Sequence, residues 1–353
     1  MYFGGFSFLS VVLIACRVRL VSSDATRQKR TLDEAWTTEP SQFYRRAYHS
    51  SEHKRYHKLT HFSFCIGVLL GETLYIDGGD VFHMPNTSSI IQVNPYNSTY
   101  SLDLSASWSP LDALFNVIDK GSSPVLNRPN LWPASDAKSF YSFNGDVSEA
   151  LQWPWSKDRD PPLDPQLWQF TPEGINNGTW QLVESEPSLI QSQLSRSTYG
   201  NESVYILGGI TTWRSTQRYV NDTGFVGSAD GIISYNADSR TWKNQSMDGL
   251  APWGWWFEGE LHWIDNLGGI GLVVALGGVT ALPTTTLAGN LLVPFDDIAL
   301  FNPLTGEWRK QTTSGNIPPS RRRACSVGVP GDNGTYEVGL LLTTQTFSCY
   351  RAR

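Results

Sequence analysis

Six histidines and four cysteines are the side chains of this 353-residue chain best suited to hold a metal or act as nucleophiles. The histidines are His49, His53, His57, His61, His83 and His262. On a helix, the i, i+4 spacing of His53, His57 and His61 would turn three imidazoles toward one metal. Lys54, Arg55 and Lys58 crowd the same stretch with positive charge, which opposes a bound cation, so it reads as a solvated or inserted segment. Cys16, Cys65, Cys325 and Cys349 show no zinc-site spacing. Setting Cys16 aside as part of an expected leader leaves an odd number and no evident disulfide framework; a Cys65–Cys325 bridge is conceivable if the first and last units meet. The chain has no Gly-x-Ser-x-Gly elbow, phosphate loop or dinucleotide fingerprint. The sequence therefore predicts no catalytic residue, metal or cofactor. A net charge of −6 with 17% charged residues gives no electrostatic case for nucleic acid.

Two aromatic runs could present a binding surface to a sugar or a protein: Trp153-Pro154-Trp155 and Trp253-Gly254-Trp255-Trp256-Phe257. The first, with Trp153 and Trp155, sits in a loop rich in proline and aspartate. The second leads into Leu261-His262-Trp263-Ile264 and reads as the opening strand of a unit, where interior aromatics are the default.

The elements that position these residues repeat. Apolar strands end in Gly78-Gly79, Asn144-Gly145, Gly208-Gly209 and Gly277-Gly278, and each is followed by a tryptophan: Trp108, Trp180, Trp242 and Trp308. Both marks return roughly every 65 residues. A continuous apolar run such as Leu272-Val273-Val274-Ala275-Leu276 fits a strand buried on both faces, and the glycines let the chain leave the packed centre sharply. Asn236-Ala237-Asp238-Ser239 and Asn302-Pro303-Leu304-Thr305-Gly306 are turn chemistry before a tryptophan-bearing strand. Each unit thus supplies a four-stranded sheet, and radial stacking of such sheets buries both faces. On this reading the glycines and tryptophans shape and pack blades.

The glycine pair after a hydrophobic strand, followed by an aromatic strand, a turn and tryptophan, resembles the kelch repeat, a β-propeller blade like those in the central domain of galactose oxidase. The chain most resembles the secreted or membrane-anchored kelch-repeat proteins of filamentous fungi, over roughly residues 40–340. Phe43-Tyr44-Arg45-Arg46-Ala47-Tyr48-His49, residues 74–79, and Ile317-Pro318-Pro319-Ser320-Arg321-Arg322-Arg323 carry that resemblance. It implies an all-β propeller of about four complete blades plus a partial fifth. Copper radical oxidases on this scaffold need two histidines, two tyrosines and a cysteine crosslinked to one tyrosine; no such set stands out here. Sialidase-type propellers need clustered arginines, which Arg45, Arg46 and Arg321 to Arg323 supply only in number, and their expected role is at blade openings.

The apolar run 3–15 is short for a membrane span and fits a secretory leader, with a short uncleaved anchor as the alternative. Seven sequons, at Asn86, Asn97, Asn177, Asn201, Asn221, Asn244 and Asn333, fit a glycosylated surface. Expected boundaries are a leader at 1–23, a flexible segment at 24–40, the propeller at 41–345 and an aberrant or disordered tail at 346–353. Residues 52–65 read as an insertion. Residues 339–353 depart from the unit and read as a truncation or a frame error. The leading expectation is a secreted or cell-surface interaction module for a protein or glycan, with specificity in loops 81–97, 146–165, 210–229 and 279–294. A monomer is expected unless open blade edges associate. The competing expectation is a carbohydrate-active or copper-radical oxidase-like enzyme using the propeller axis.

Overall fold

The structure is a computed structural model. It describes residues 62–63, 66–83, 92–95, 97–105, 107, 114–147, 164–186, 188–222, 224–229, 231–248, 250, 255–265, 267, 269–281, 291–330 and 335–341.

Strands dominate these residues, and they fall into units. The first comprises β1 (Phe62–Ser63), β2 (Ile66–Leu70), β3 (Thr73–Asp77), β4 (Asp80–His83), β5 (Gln92–Pro95), β6 (Ser98–Asp103) and β7 (Asn116–Asp119). The second has β8 (Asn130–Pro133), β9 (Phe140–Phe143), β10 (Gln166–Pro172) and β11 (Gly178–Ser185). The third has β12 (Arg196–Gly200), β13 (Ser203–Leu207), β14 (Ile210–Thr212), β15 (Val226–Ser228), β16 (Ile232–Asn236) and β17 (Thr241–Gln245). The fourth has β18 (Trp255–Phe257), β19 (Glu260–Ile264), β20 (Leu272–Leu276), β21 (Val279–Ala281), β22 (Leu291–Leu292), β23 (Asp297–Asn302) and β24 (Glu307–Thr312). A hairpin of β25 (Cys325–Pro330) and β26 (Tyr336–Leu341) follows. Its pairing, Cys325 with Leu341 onward, carries strand order through 339–341, into the stretch expected to depart from the unit.

Four antiparallel four-stranded sheets result, ordered β2-β3-β6-β7, β8-β9-β10-β11, β12-β13-β16-β17 and β19-β20-β23-β24. The first strands β2, β8, β12, β19 and β25 are successive neighbours, so the sheets share an inner side.

The second strand of each sheet shows why its apolar run is continuous. Along β13, Tyr205 and Leu207 enter the core shared with the fourth sheet, while Val204 and Ile206 enter the core shared with the second. Along β20, Val273 and Ala275 face the third sheet, and Val274 and Leu276 join the core that touches Val338 of β26. Alternation with period two, and a buried core on either side, leaves no face for polar residues.

A second layer of structure attaches at the end of the sheets where the glycine marks lie. The chain that leaves each mark pairs with the segment leading into the first strand of its own sheet. This gives β1-β4-β5 in the first unit, the bridge Asn127–Asp146 in the second, β14-β15 with the bridge Gln193–Ile210 in the third, and β18-β21-β22 in the fourth. Trp255–Phe257, expected to open the fourth sheet, is instead such a satellite strand, and the sheet opens at Glu260.

Candidate functional site

The glycine marks are where one unit grips the next. A Cβ on Gly78, Gly208 or Gly277 would lie 2.2, 1.9 or 2.9 Å from the carbonyl oxygen of Leu126, Trp256 or Arg321, each in the segment leading into the following sheet. The second glycine then donates its N–H across the seam: Gly145 to Ser192 O at 2.8 Å, Gly209 to Trp256 O at 2.9 Å, Gly278 to Arg321 O at 2.7 Å. Gly79 shares the left-handed backbone, at φ 95°. Asn144 fills the first position of its mark at φ 67°, which asparagine tolerates. Its side chain accepts from Ser192 N and donates to Asn130 Oδ1, both at 3.2 Å.

Two residues after each gripped carbonyl stands another left-handed residue: Arg128, Leu194, Glu258 and Arg323, with φ between 55° and 62°. Glu258 N donates to Leu194 O at 2.9 Å and Arg323 N to Glu258 O at 3.0 Å, so these positions form a backbone relay from unit to unit. Three of their side chains, Arg128, Glu258 and Arg323, form ion pairs there, while Leu194 packs on Ile210, Phe257 and Val279. Arg128 Nη1 donates to Asp146 at 2.9 and 3.0 Å and to Gln193 Oε1 at 2.6 Å; Gln193 passes the chain on to Thr212. Arg214 closes on the same aspartate at 3.5 Å. Buried Glu258 is paired with Arg323 and, at 3.5 Å, Arg322. Of the arginines expected at blade openings, Arg322 and Arg323 are joined there by Arg128, which the sequence reading passed over, while Arg45 and Arg46 lie outside the described residues. Spacing alone could have found Arg128, since these four positions keep the same period as the glycines.

Deeper along the first strands, Arg196 Nε approaches Glu260 at 3.6 Å, Ser326 Oγ donates to Glu260 Oε2 at 2.9 Å, and His262 Nε2 lies 2.8 Å from Ser326 Oγ. Burial pushes His262 down to about 4. Burial also holds Glu260 above its ordinary range, against the lowering effects of Arg196 and Ser326. Ser326 Oγ–H donates to Glu260, and the Nε2-protonated tautomer of neutral His262 completes the set by donating to Oγ. The trio links β19 to β25 through side-chain hydrogen bonds.

The tryptophans work on the outer strands and reach backward. Trp180 donates to Thr99 Oγ1 of the preceding sheet at 2.9 Å, Trp242 to Glu184 Oε1 at 2.6 Å, and Trp308 to Ser246 O at 3.2 Å. Behind Trp180 lies a buried cluster that the sequence did not reveal. Lys120 Nζ is 2.7 Å from both oxygens of Asp77, Thr99 donates to Asp77 at 2.8 Å, and the ammonium sits 4.9 Å from the Trp180 ring centroid.

Asn97, Asn177, Asn201, Asn221 and Asn244 are all exposed. Trp255 is half-buried, while Trp256 is buried and donates to Gly277 O at 2.9 Å. Trp108, Trp153, Trp155, Asn86, Asn333, Cys65 and His49 to His61 lie outside the described residues, as do the expected leader 1–23, segment 24–40 and tail 346–353. Among the described residues no three histidine, cysteine, aspartate or glutamate side chains group to hold a metal. The best-formed crevice among them, lined by Asp77, Leu126, Phe143, Asn144, Trp168 and Gln191, has a volume of about 10 Å³, the space of one water.

No family model matches the chain. A kelch repeat-containing protein of Arthroderma benhamiae is 24% identical over an alignment covering 76% of this chain and 42% of that protein, so the chain spans well under half of its relative's length. The solved structure of YjhT superimposes with a TM-score of 0.50 at 12% identity, covering 81% of this chain and 82% of that one. Together with the stacked four-stranded sheets, these two likenesses support a kelch-type β-propeller.

Proposed function

We propose that the chain is a secreted or cell-surface interaction module that presents its satellite segments to a protein or glycan partner. The observation that carries this reading is the contrast between constant seams and variable satellites. The glycine grip recurs from unit to unit with nearly the same hydrogen bond. Among the described residues the satellites differ in length and content: β1-β4-β5 in the first unit, the bridge Asn127–Asp146 in the second, the bridge Gln193–Ile210 with β14-β15 in the third, and β18-β21-β22 in the fourth. Variation displayed on a uniform scaffold is where recognition sits. The kelch-repeat relative is in keeping with an interaction role. Exposed sequon asparagines suit passage through the secretory route.

The test is site-directed crosslinking on glycosylated chain purified from a secretory host. A photoreactive residue at Arg218 or Leu291, both on satellites, should yield discrete adducts with cell-surface extract or retain array glycans. The same residue at Glu307, at the far turn of the fourth sheet, should not. Equal yields from all three positions, or adducts from Glu307 alone, overturn the assignment of recognition to the satellites.

A further inference from the structure

The third unit's satellite carries an aromatic plate that joins none of the buried cores formed among the described residues. Tyr219 and Phe225 stack at 3.9 Å between ring centroids with an 18° interplanar angle, and both stay half-buried. They belong to a tightly wound segment. Thr216 Oγ1 accepts from Arg218 N, Tyr219 N donates to Thr216 O at 3.2 Å, Asp222 N to Tyr219 O at 2.9 Å, and Phe225 N to Asp222 O at 3.0 Å. The third of these bonds closes a four-residue turn from Tyr219 to Asp222. Its third residue is Asn221, exposed, and the asparagine of an Asn-Asp-Thr sequon.

Asn221 follows Tyr219 by two residues, so their Cα atoms are at most about 7 Å apart, and the turn that closes Asp222 on Tyr219 shortens that path. A sugar on Asn221 would therefore start within reach of the Tyr219 ring. The C–H face of a pyranose is apolar, and an aromatic face that water otherwise wets is its natural support. Two other sequons also have an aromatic two residues before the asparagine, Tyr199 before Asn201 and Trp242 before Asn244, but those rings are already committed. Tyr199 packs on the core between the second and third sheets. Trp242 stacks on Phe143 and Tyr235 and donates to Glu184.

We infer that Asn221 carries an N-linked glycan whose first N-acetylglucosamine packs on the Tyr219–Phe225 plate and locks the third satellite. This rests on the secretory reading above and adds a specific role for one sugar. Backed by Phe225 and held by the turn, the plate is preformed, so the sugar's contact adds to hydrogen bonds already in place and resists their opening.

The experiment uses the full chain from a eukaryotic secretory host. Peptide mass spectrometry reads occupancy at each sequon, and hydrogen exchange reads the amides of 219–226, before and after trimming to a single N-acetylglucosamine. Glycosylated protein should protect these amides about tenfold more than Asn221→Gln, and trimming should leave that protection intact. Tyr219→Ala should speed exchange in the glycosylated chain and change it far less in the Asn221→Gln background. Equal effects of Tyr219→Ala in both backgrounds would sink the packing. An empty Asn221 beside occupied Asn97, Asn177 or Asn244 would sink the site while leaving the secretory reading standing. Sequons empty throughout would overturn the secretory reading and this inference together.

Discussion

The seam between the first two four-stranded sheets and the seam between the fourth sheet and the β25–β26 hairpin use the same architecture with different chemistry. The first is sealed. Val68, Leu70, Tyr75 and Ile118 meet Leu131, Phe140, Phe170 and Trp180 in one core, and the charges inside it, Asp77 and Lys120, are paired and buried to within 2% of full burial. The second is polar along its inner strands. Glu258 meets Arg322 and Arg323, Glu260 meets Ser326 and His262, and Val338 is a partly buried residue on its apolar cluster. In the first seam Trp180 contributes twice. Its ring covers the seam's outer half and its indole nitrogen satisfies Thr99, which in turn supports Asp77, so a buried ion pair is tolerated there.

Lys120→Met attacks the sealed seam where the cost is greatest. It strands Asp77 as a buried carboxylate with only Thr99 as partner, and loss of one member of a buried pair typically costs about 3–5 kcal/mol. Asp77→Leu combined with Lys120→Met removes both charges and should recover most of that loss, because a buried pair and a packed apolar replacement are close in free energy. Urea unfolding of the two single variants and the double variant measures the cycle. A double variant as unstable as Lys120→Met would mean the cluster does more than neutralise itself.

Alanine at the glycine marks measures how closely each seam is drawn. Gly78 and Gly277 have similar left-handed backbones, φ 69° and 55°, so the conformational cost of a side chain largely cancels between them. The added Cβ would meet a carbonyl oxygen at 2.2 Å in the sealed seam and 2.9 Å in the polar one. Left-handed strain of about 1–2 kcal/mol applies to both. Overpacking of about 1–3 kcal/mol falls mainly on Gly78→Ala. Thermal midpoints of the two variants should separate in that order. Equal losses would show that backbone strain alone governs these positions.

How far the sequence carried these conclusions depends on whether a residue serves the repeat. Gly208, Gly209 and Trp242 recur on schedule because every seam needs a close backbone approach and a ring across the outer strands, so both the sheets and their stacking were legible. The Asp77–Lys120 cluster was not, because it joins residues 43 positions apart in a single unit and has no counterpart to betray it by recurrence. Glu258 was missed for a different reason. Its position recurs as Arg128, Leu194 and Arg323, which share a backbone angle but no one residue type, and a search for a repeated residue type passes over it. Trp255–Phe257 reads as a sheet strand by composition, yet the start of the fourth sheet is fixed by pairing with β20, which composition does not encode.

A net of two opposed slopes within one cluster separates the two seams by pH. His262 has a folded pKa of about 4 against 6.5 in the open chain. Between those values the unfolded chain holds a proton that the folded one lacks. Stability from this group therefore falls as pH drops from 6.5 to 4, by up to about 3 kcal/mol, and levels off below. Glu260 acts in the opposite direction. Its folded pKa lies above the ordinary 4.5, so the folded state keeps a proton the unfolded one gives up, and stability falls as pH rises from 4.5 to that value. Arg196 from β12 and Ser326 from β25 both face Glu260 and limit that second slope. Glu260→Gln should therefore steepen acid destabilisation, and His262→Gln should reverse its sign, in urea midpoints taken between pH 4 and 7. Both groups reach Ser326, so the effect should concentrate on docking of β25–β26. Hydrogen exchange in that hairpin should then follow pH while the amides of β3 and β6 stay level. Uniform pH dependence across all of these strands would mean that the polar seam opens only with the whole molecule.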